Sequence, residues 1–239
     1  MATRLVDRQE VFRLVEQELA QLVEVLPRKP YEEAHLPGAL HIGLRDLDER
    51  APEQLDARRP VIVYCADELC DLSPRAAARL EQLGFRQVYD YVPGKADWLA
   101  AGLPREGQAA ATALAGDVAD PGVFICTVDQ PLDDVVAMLD ETGRGTCVVV
   151  DDEQVVVGLL RHEDTAHRTG GTVEDAMRLG PATVRADEPL GPLLERMTRA
   201  GTEAVPVTDP EGRLLGLLER EHIERALAVR RDAGGGGGA

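Results

Sequence analysis

Apolar residues at Val11, Leu14, Val15 and Leu19 recur at helical spacing, and Asp7 stands where a helix N-cap belongs. Gln21 to Leu26 then reads as a short strand. Pro60 leads into Val61-Ile62-Val63-Tyr64, an unbroken apolar run rich in β-branched residues that suits a buried parallel strand. Ser73-Pro74 predicts the next helix start, serine as N-cap and proline at the first helical position, and Gly84 predicts its end. Gln87 to Tyr91 returns as a strand. Such alternation predicts an α/β domain around a parallel sheet.

The second half follows another rule. From Gly107 to Gly116 the chain is small, uncharged and without an apolar face, and reads as a linker. Beyond it lies an internal repeat. A shift of 58 residues places Leu132 on Leu190, Val136 on Leu194, Leu139 on Met197, Gly143 on Gly201, Asp151 on Asp209 and Gly158 on Gly216. Each unit predicts a strand, an amphipathic helix, two strands across a polar turn and a second helix. Two such units pack as one pseudo-symmetric body, because neither alone hides its apolar face. The expected organisation is residues 1–107, a linker at 108–117, repeats at 118–169 and 172–231, and a flexible glycine-rich tail at 232–239.

Charge narrows the classes of partner. Among 239 residues, 43 acidic and 26 basic side chains give a formal charge of −17, a field that repels nucleic acid and anionic lipid. No apolar run reaches the length of about 18 residues that a membrane span needs. Met1 to Glu10 forms no apolar signal core, so a cytoplasmic protein is expected. Four cysteines are too few and too scattered for a disulfide framework.

Cys65 is the principal chemical candidate. It follows the Val61–Tyr64 strand directly, and active sites of parallel α/β sheets gather at the carboxyl ends of strands. A loop that runs into a helix offers backbone amides and a positive dipole end, both of which favour a thiolate. The alternative is a small buried apolar residue. The loop that follows, Ala66-Asp67-Glu68-Leu69-Cys70-Asp71, carries three carboxylates and no cation before Arg75, which opposes thiolate formation. Cys70 could attack an oxidised Cys65 to give a reversible disulfide, or simply anchor the loop. No metal site is expected, since zinc needs further ligands at short spacing.

Several segments of the first half resemble the rhodanese family of sulfurtransferase domains. They are Glu33-Ala34-His35-Leu36-Pro37-Gly38-Ala39, Val61 to Cys65, Leu80 to Phe85, and Pro93-Gly94 with Trp98, in matching order over about residues 5 to 105. The resemblance implies that Cys65 accepts a sulfane sulfur as a persulfide, held by the amides of residues 66 to 70, and passes it to a nucleophile. It implies a structural turn for His35, and packing is expected of Trp98. With three loop carboxylates, thiosulfate turnover should be weak, and a small thiol persulfide or a protein persulfide should serve better.

The repeat resembles paired CBS domains, through Gly158-Leu-Leu-Arg-His-Glu-Asp164 and Gly216-Leu-Leu-Glu-Arg-Glu-His222 among other segments. That resemblance implies an α+β pseudo-symmetric pair that binds an adenosine-type ligand such as AMP, ATP or S-adenosylmethionine, and a homodimer formed through the pair. Asp164 matches the ribose-binding carboxylate of the family motif and Arg161 stands at its hydroxyl position, where it could meet phosphate. Glu219 and His222 replace both positions in the second repeat, so one site at most is competent. Asp164 as a helix cap is the plainer alternative. No required cofactor is expected. Three overall readings follow: a sulfurtransferase governed by a sensor pair, a non-enzymatic redox or docking module, and a structural dimerisation protein.

Overall fold

The computed structural model describes residues 3–108, 112–165, 168 and 170–234, with the side chains of 230–234 excepted. His167, the middle of the expected linker and the final residues 235–239 lie outside the described residues. The chain divides into two compact bodies, one of residues up to 99 with 103–112, the other of 100–102 with 113 onward.

The first body begins with β1 (Arg4–Leu5) and α1 (Arg8–Glu18), whose first turn is capped by Asp7 accepting from the Glu10 amide at 2.8 Å. There follow β2 (Gln21–Glu24), α2 (Arg28–Glu33), β3 (Leu40–His41), α3 (Leu47–Gln54), β4 (Val61–Tyr64), α4 (Leu72–Gln82), β5 (Val88–Tyr91) and α5 (Gly94–Ala100). The strands form one sheet in the order β1-β5-β4-β2-β3, every pairing parallel, which is the architecture the alternating pattern predicts. β4 is central and buried on both faces. Its two-residue side-chain period sends Val61, Val63 and the next residue, Cys65, toward α3 and α4, where Leu47, Ala76, Ala77 and Leu80 pack. Ile62 and Tyr64 point to the opposite face, with Val11, Leu14, Tyr91 and Trp98.

Two expectations need correction here. α4 starts at Leu72, with Asp71 in the cap position and no side-chain cap hydrogen bond. Ser73 is therefore inside the helix, 1% exposed, and its hydroxyl serves the thiol described below rather than the helix end. The strand read as Gln21–Leu26 ends at Glu24.

The second body contains α6 (Ala115–Val118), β6 (Ile125–Cys126), α7 (Leu132–Thr142), β7 (Thr146–Val150), β8 (Val156–Arg161), α8 (His162–Thr165), α9 (Val173–Ala176) and β9 (Arg178–Leu179). Its second part contains β10 (Val184–Arg185), α10 (Leu190–Ala200), β11 (Ala204–Thr208), β12 (Leu214–Glu219) and α11 (Arg220–Gly234). The 58-residue shift carries α7, β7 and β8 onto α10, β11 and β12 residue for residue. Each unit builds its own sheet, β6-β7-β8-β9 and β10-β11-β12. Ala113 and Ala115, in the segment read as a linker, pack in the core of this body beside Leu190 and Leu193, and α11 extends into the segment read as a tail. Cys126 and Cys147 are joined as a disulfide, a correction to the expectation of isolated cysteines. Parallel pairing of β6 with β7 brings them to 6.5 Å between Cα atoms, although 21 residues separate them. No helix among the described residues is long and apolar enough to cross a membrane.

The equivalent glycines Gly158 and Gly216 each leave room for a neighbouring chain. A Cβ on Gly216 would stand 2.8 Å from the Asp120 carbonyl oxygen, while one on Gly158 would meet first the Met177 sulfur. Backbone cannot yield as a thioether can. Gly216→Ala should cost about 1–3 kcal/mol of stability, more than Gly158→Ala, as measured by denaturant unfolding; equal losses would contradict this.

Candidate functional site

Cys65 leaves the sheet at the end of β4, and α5 fixes its path. The Lys95 amide donates to the Cys65 carbonyl at 3.0 Å and the Ala96 amide to the Ala66 carbonyl at 2.9 Å. Gly94 makes this approach feasible: its φ is +63°, and a Cβ there would lie 2.7 Å from the Cys65 carbonyl oxygen. The Lys95 side chain anchors the same corner. Its Nζ donates to Glu24 Oε1 at 2.7 Å and to the carbonyls of Pro30 and Ala34, and Glu24 is fully buried. A buried pair with these added acceptors holds both β2 and the α2 loop in register with α5.

The thiol itself is enclosed. Cys65 Sγ lies 3.3 Å from Ser73 Oγ, 3.4 Å from the Cys70 carbonyl oxygen and 3.9 Å from that of Asp67. Of the amides of residues 66 to 70, expected to hold a persulfide, two are engaged within the loop. The Cys70 amide donates to the Asp67 carbonyl, and the Leu69 amide to Asp67 Oδ1 at 3.0 Å. Carbonyls near the sulfur accept a proton bond from a thiol and stabilise no thiolate. Burial pushes the Cys65 thiol up to about 11, the Cys70 thiol adds to the rise, and the Ser73 hydroxyl and amide oppose it.

The remaining loop residues divide in two. Asp71 pairs with Arg75 at 3.3 Å, and Asp67 is bonded within the loop, so two of the three carboxylates are engaged. Glu68 and Leu69 are exposed, Leu69 at the loop tip by 90%; Ala66 and Cys70 are half-buried against the core that holds Cys65. Beside this loop, a cavity of about 610 Å³ opens at the carboxyl ends of β2 and β3. Arg28, Arg45, Arg50 and Arg75 line it together with Asp46, and Leu72 and Arg75 connect it to the first turn of α4. Three of those arginines come from α2, α3 and the segment before α3, which is why the loop sequence alone looks uniformly acidic. His35 and His41 are structural: His35 Nδ1 contacts the Tyr31 carbonyl, and His41 Nε2 the Leu26 carbonyl. Trp98 packs on Phe12 and donates to the Pro104 carbonyl.

Asp90 escaped the sequence reading. It sits in β5 opposite Val63, fully buried, and neither carboxylate oxygen has a hydrogen-bond partner. A lone acid between two tyrosines of a continuous strand is the signal that could have found it.

In the second body, Arg161 lines a cavity of about 390 Å³ with Thr146, His162, Glu163 and Glu203, among others. Asp164 is not on that wall. Its Oδ1 pairs with Arg178 at 2.5 Å, while Oδ2 is buried without a partner. Arg161 and Arg178 both meet Glu163 at 3.5 Å, so the two motif residues share one ion-pair network. His222 faces Glu219 at 3.7 Å, and His162 contacts Asp140 at the surface.

The chain matches the family model for a rhodanese-like domain over residues 7–101 and that for CBS domains over 115–168 and 173–229. It is 31% identical over 100 residues to the thiosulfate sulfurtransferase GlpE of Coxiella burnetii, covering 42% of this chain and 91% of that one. It is 33% identical over 99 residues to the HTH-type transcriptional regulator Rv0324 of Mycobacterium tuberculosis, 41% of this chain and 43% of that one. A solved structure of CBSX2 in complex with AMP is similar over 49% of this chain and 98% of that one, with 22% identity and a TM-score of 0.46. The protein belongs to the rhodanese-like family through its first body, and two CBS domains follow. It spans less than half the length of Rv0324 and a fifth of another curated relative.

The raised titration of Cys65 has a consequence for stability. A thiol that ionises near 11 when folded, against an ordinary 9.0, favours the fold while protonated. Its contribution is intact below about pH 9 and is lost as the pH climbs toward 11. Unfolding free energies measured from pH 8 to 11 should fall more steeply for the wild type than for Cys65→Ser; parallel curves would contradict this.

Proposed function

We propose that the first body is a sulfurtransferase domain in which Cys65 takes up a sulfane sulfur as a persulfide and delivers it to a nucleophilic acceptor. The observation that carries this reading is the strand-end thiol held against Ser73 in the first turn of α4, beside an arginine-lined cavity. The likeness to GlpE over 91% of that enzyme supports it. The donor is a small thiol persulfide or a protein persulfide. With Asp67 and Asp71 engaged and four arginines near the loop, the charge opposing an anionic donor is smaller than the loop composition implies. Thiosulfate and glutathione persulfide are therefore the donors to compare. Treatment with each, followed by peptide mass spectrometry, should add one sulfur to Cys65 and none in Cys65→Ser. An unmodified Cys65 under both donors would remove the reading.

A specific observation favours a second reading. The Cys65 and Cys70 thiols interact, so a two-electron oxidant such as peroxide would close a Cys65–Cys70 disulfide. Formation of that bond with no sulfur uptake would select a redox module.

For the CBS pair we propose an adenosine-type ligand, with AMP, ATP and S-adenosylmethionine as candidates, and a homodimer through the pair. Asp164 Oδ2, buried and unpartnered, is an acceptor that a ribose hydroxyl would satisfy once Arg178 moves aside. At least one of the three compounds should raise the Tm, and Asp164→Ala should abolish the rise. No shift with any of them would leave the pair as a scaffold.

A further inference from the structure

The cavity beside the thiol loop gathers positive charge on a chain whose formal charge is −17. Of the four arginines that line it, two have an acid of their own. Arg28 pairs with Glu32 at 2.7 Å and Arg75 with Asp71 at 3.3 Å. The other two do not. Among the described residues Arg45 makes no ion pair or side-chain hydrogen bond, and Arg50 meets only the neutral side-chain amide of Gln54. Asp46 lines the same space from the N-cap position of α3, where its carboxylate caps nothing. The cavity thus presents two guanidinium groups without an acid and one carboxylate without a donor.

Size and lining narrow the ligand further. A volume of about 610 Å³ falls within the roughly 300–1,000 Å³ of pockets that hold organic ligands, and an inorganic anion would leave most of it to water. Val25, Leu44 and Leu72 supply apolar lining, and the same three pack in the cluster that holds Cys65. Ser73, the residue after Leu72, touches the sulfur at 3.3 Å. A molecule seated in the cavity therefore rests on the cluster that encloses the thiol.

We propose that this cavity recognises an organic thiol persulfide bearing two carboxylates and one ammonium group, the chemistry of a short acidic peptide thiol. The carboxylates pair with Arg45 and Arg50, bidentately where the guanidinium fork allows, and the ammonium pairs with Asp46. A phosphate ester would bring more negative charge and nothing for Asp46. This deepens the sulfur-transfer reading above and rests on it, with Arg45, Arg50 and Asp46 as the residues that select the donor. The transfer balances. The Cys65 sulfur attacks the outer sulfur of the persulfide, and the donor S–S bond breaks with its electron pair on the inner sulfur. The released peptide thiol takes up the proton that Cys65 gives up, so one sulfur changes carrier without an oxidant or reductant.

The test uses the full chain and S-methylglutathione, which has both carboxylates and the ammonium but no transferable sulfur, with binding measured by calorimetry. Wild type should bind it more tightly than inorganic phosphate or thiosulfate. Arg45→Gln and Arg50→Gln should each weaken binding about tenfold or more. Arg58→Gln removes the same charge elsewhere on this body, where Arg58 pairs with Asp56, and should leave binding unchanged. The glycine ethyl ester of S-methylglutathione lacks one carboxylate, so it should bind more weakly and lose further affinity to only one of the two substitutions. Absent binding, tighter binding of phosphate or thiosulfate, or equal weakening by Arg58→Gln would overturn the site. Glutathione persulfide, with sulfur uptake on Cys65 read by peptide mass spectrometry, separates the site from the chemistry. A wild type that binds S-methylglutathione and never loads sulfur would sink sulfur transfer while supporting the site. Loading as fast in Arg45→Gln and Arg50→Gln as in the wild type would sink the site alone.

Discussion

Two backbone hydrogen bonds set the geometry on which the rest of the first body depends. The amides of Lys95 and Ala96 hold the carbonyls of Cys65 and Ala66, and Gly94 is the residue that lets α5 come so close. They turn the chain off the end of β4 at a fixed angle. The sulfur then has one direction left, toward the first turn of α4 and Ser73. The Glu24–Lys95 pair beneath ties the same helix to β2, so the corner is braced from two sides.

That corner carries an electrostatic tension. Burial and nearby carbonyl oxygens favour a protonated thiol, whereas sulfur chemistry needs electron density on that atom. A single hydroxyl and a single amide, both from Ser73, oppose the burial. The arginines of the neighbouring cavity stand apart from the sulfur, since Cys65 is not among the residues lining it. In the second body, too, charge is arranged pairwise: Asp164 is held by Arg178, and Glu203 by Arg220 at 2.8 Å, so a ligand there competes with existing ion pairs.

Much of this was legible in the chain. The Val61–Tyr64 run, the strand-end cysteine and the 58-residue repeat are local or periodic signals, and local signals survive in one dimension. The repeat held through α10, β11 and β12 because both units solve the same packing problem with the same spacing. What could not be read depends on contacts between distant segments. Arg28, Arg45 and Arg50 reach one cavity from α2, the segment before α3, and α3 itself. Asp90 gains meaning only once register places it opposite Val63. Ser73 looked like a cap because serine before proline usually is one; here α4 begins two residues earlier and buries the hydroxyl. The Cys126–Cys147 bond depends on parallel pairing across 21 residues, which no spacing rule reveals.

The central claim is that α5 clamps the loop after β4 and so fixes the thiol against α4. Amide hydrogen exchange at Lys95 and Ala96 tests it most directly. The account predicts protection there as strong as that of the β4 amides themselves, lost in Gly94→Ala. Rapid exchange at both amides in the wild type, with β4 still protected, would contradict it.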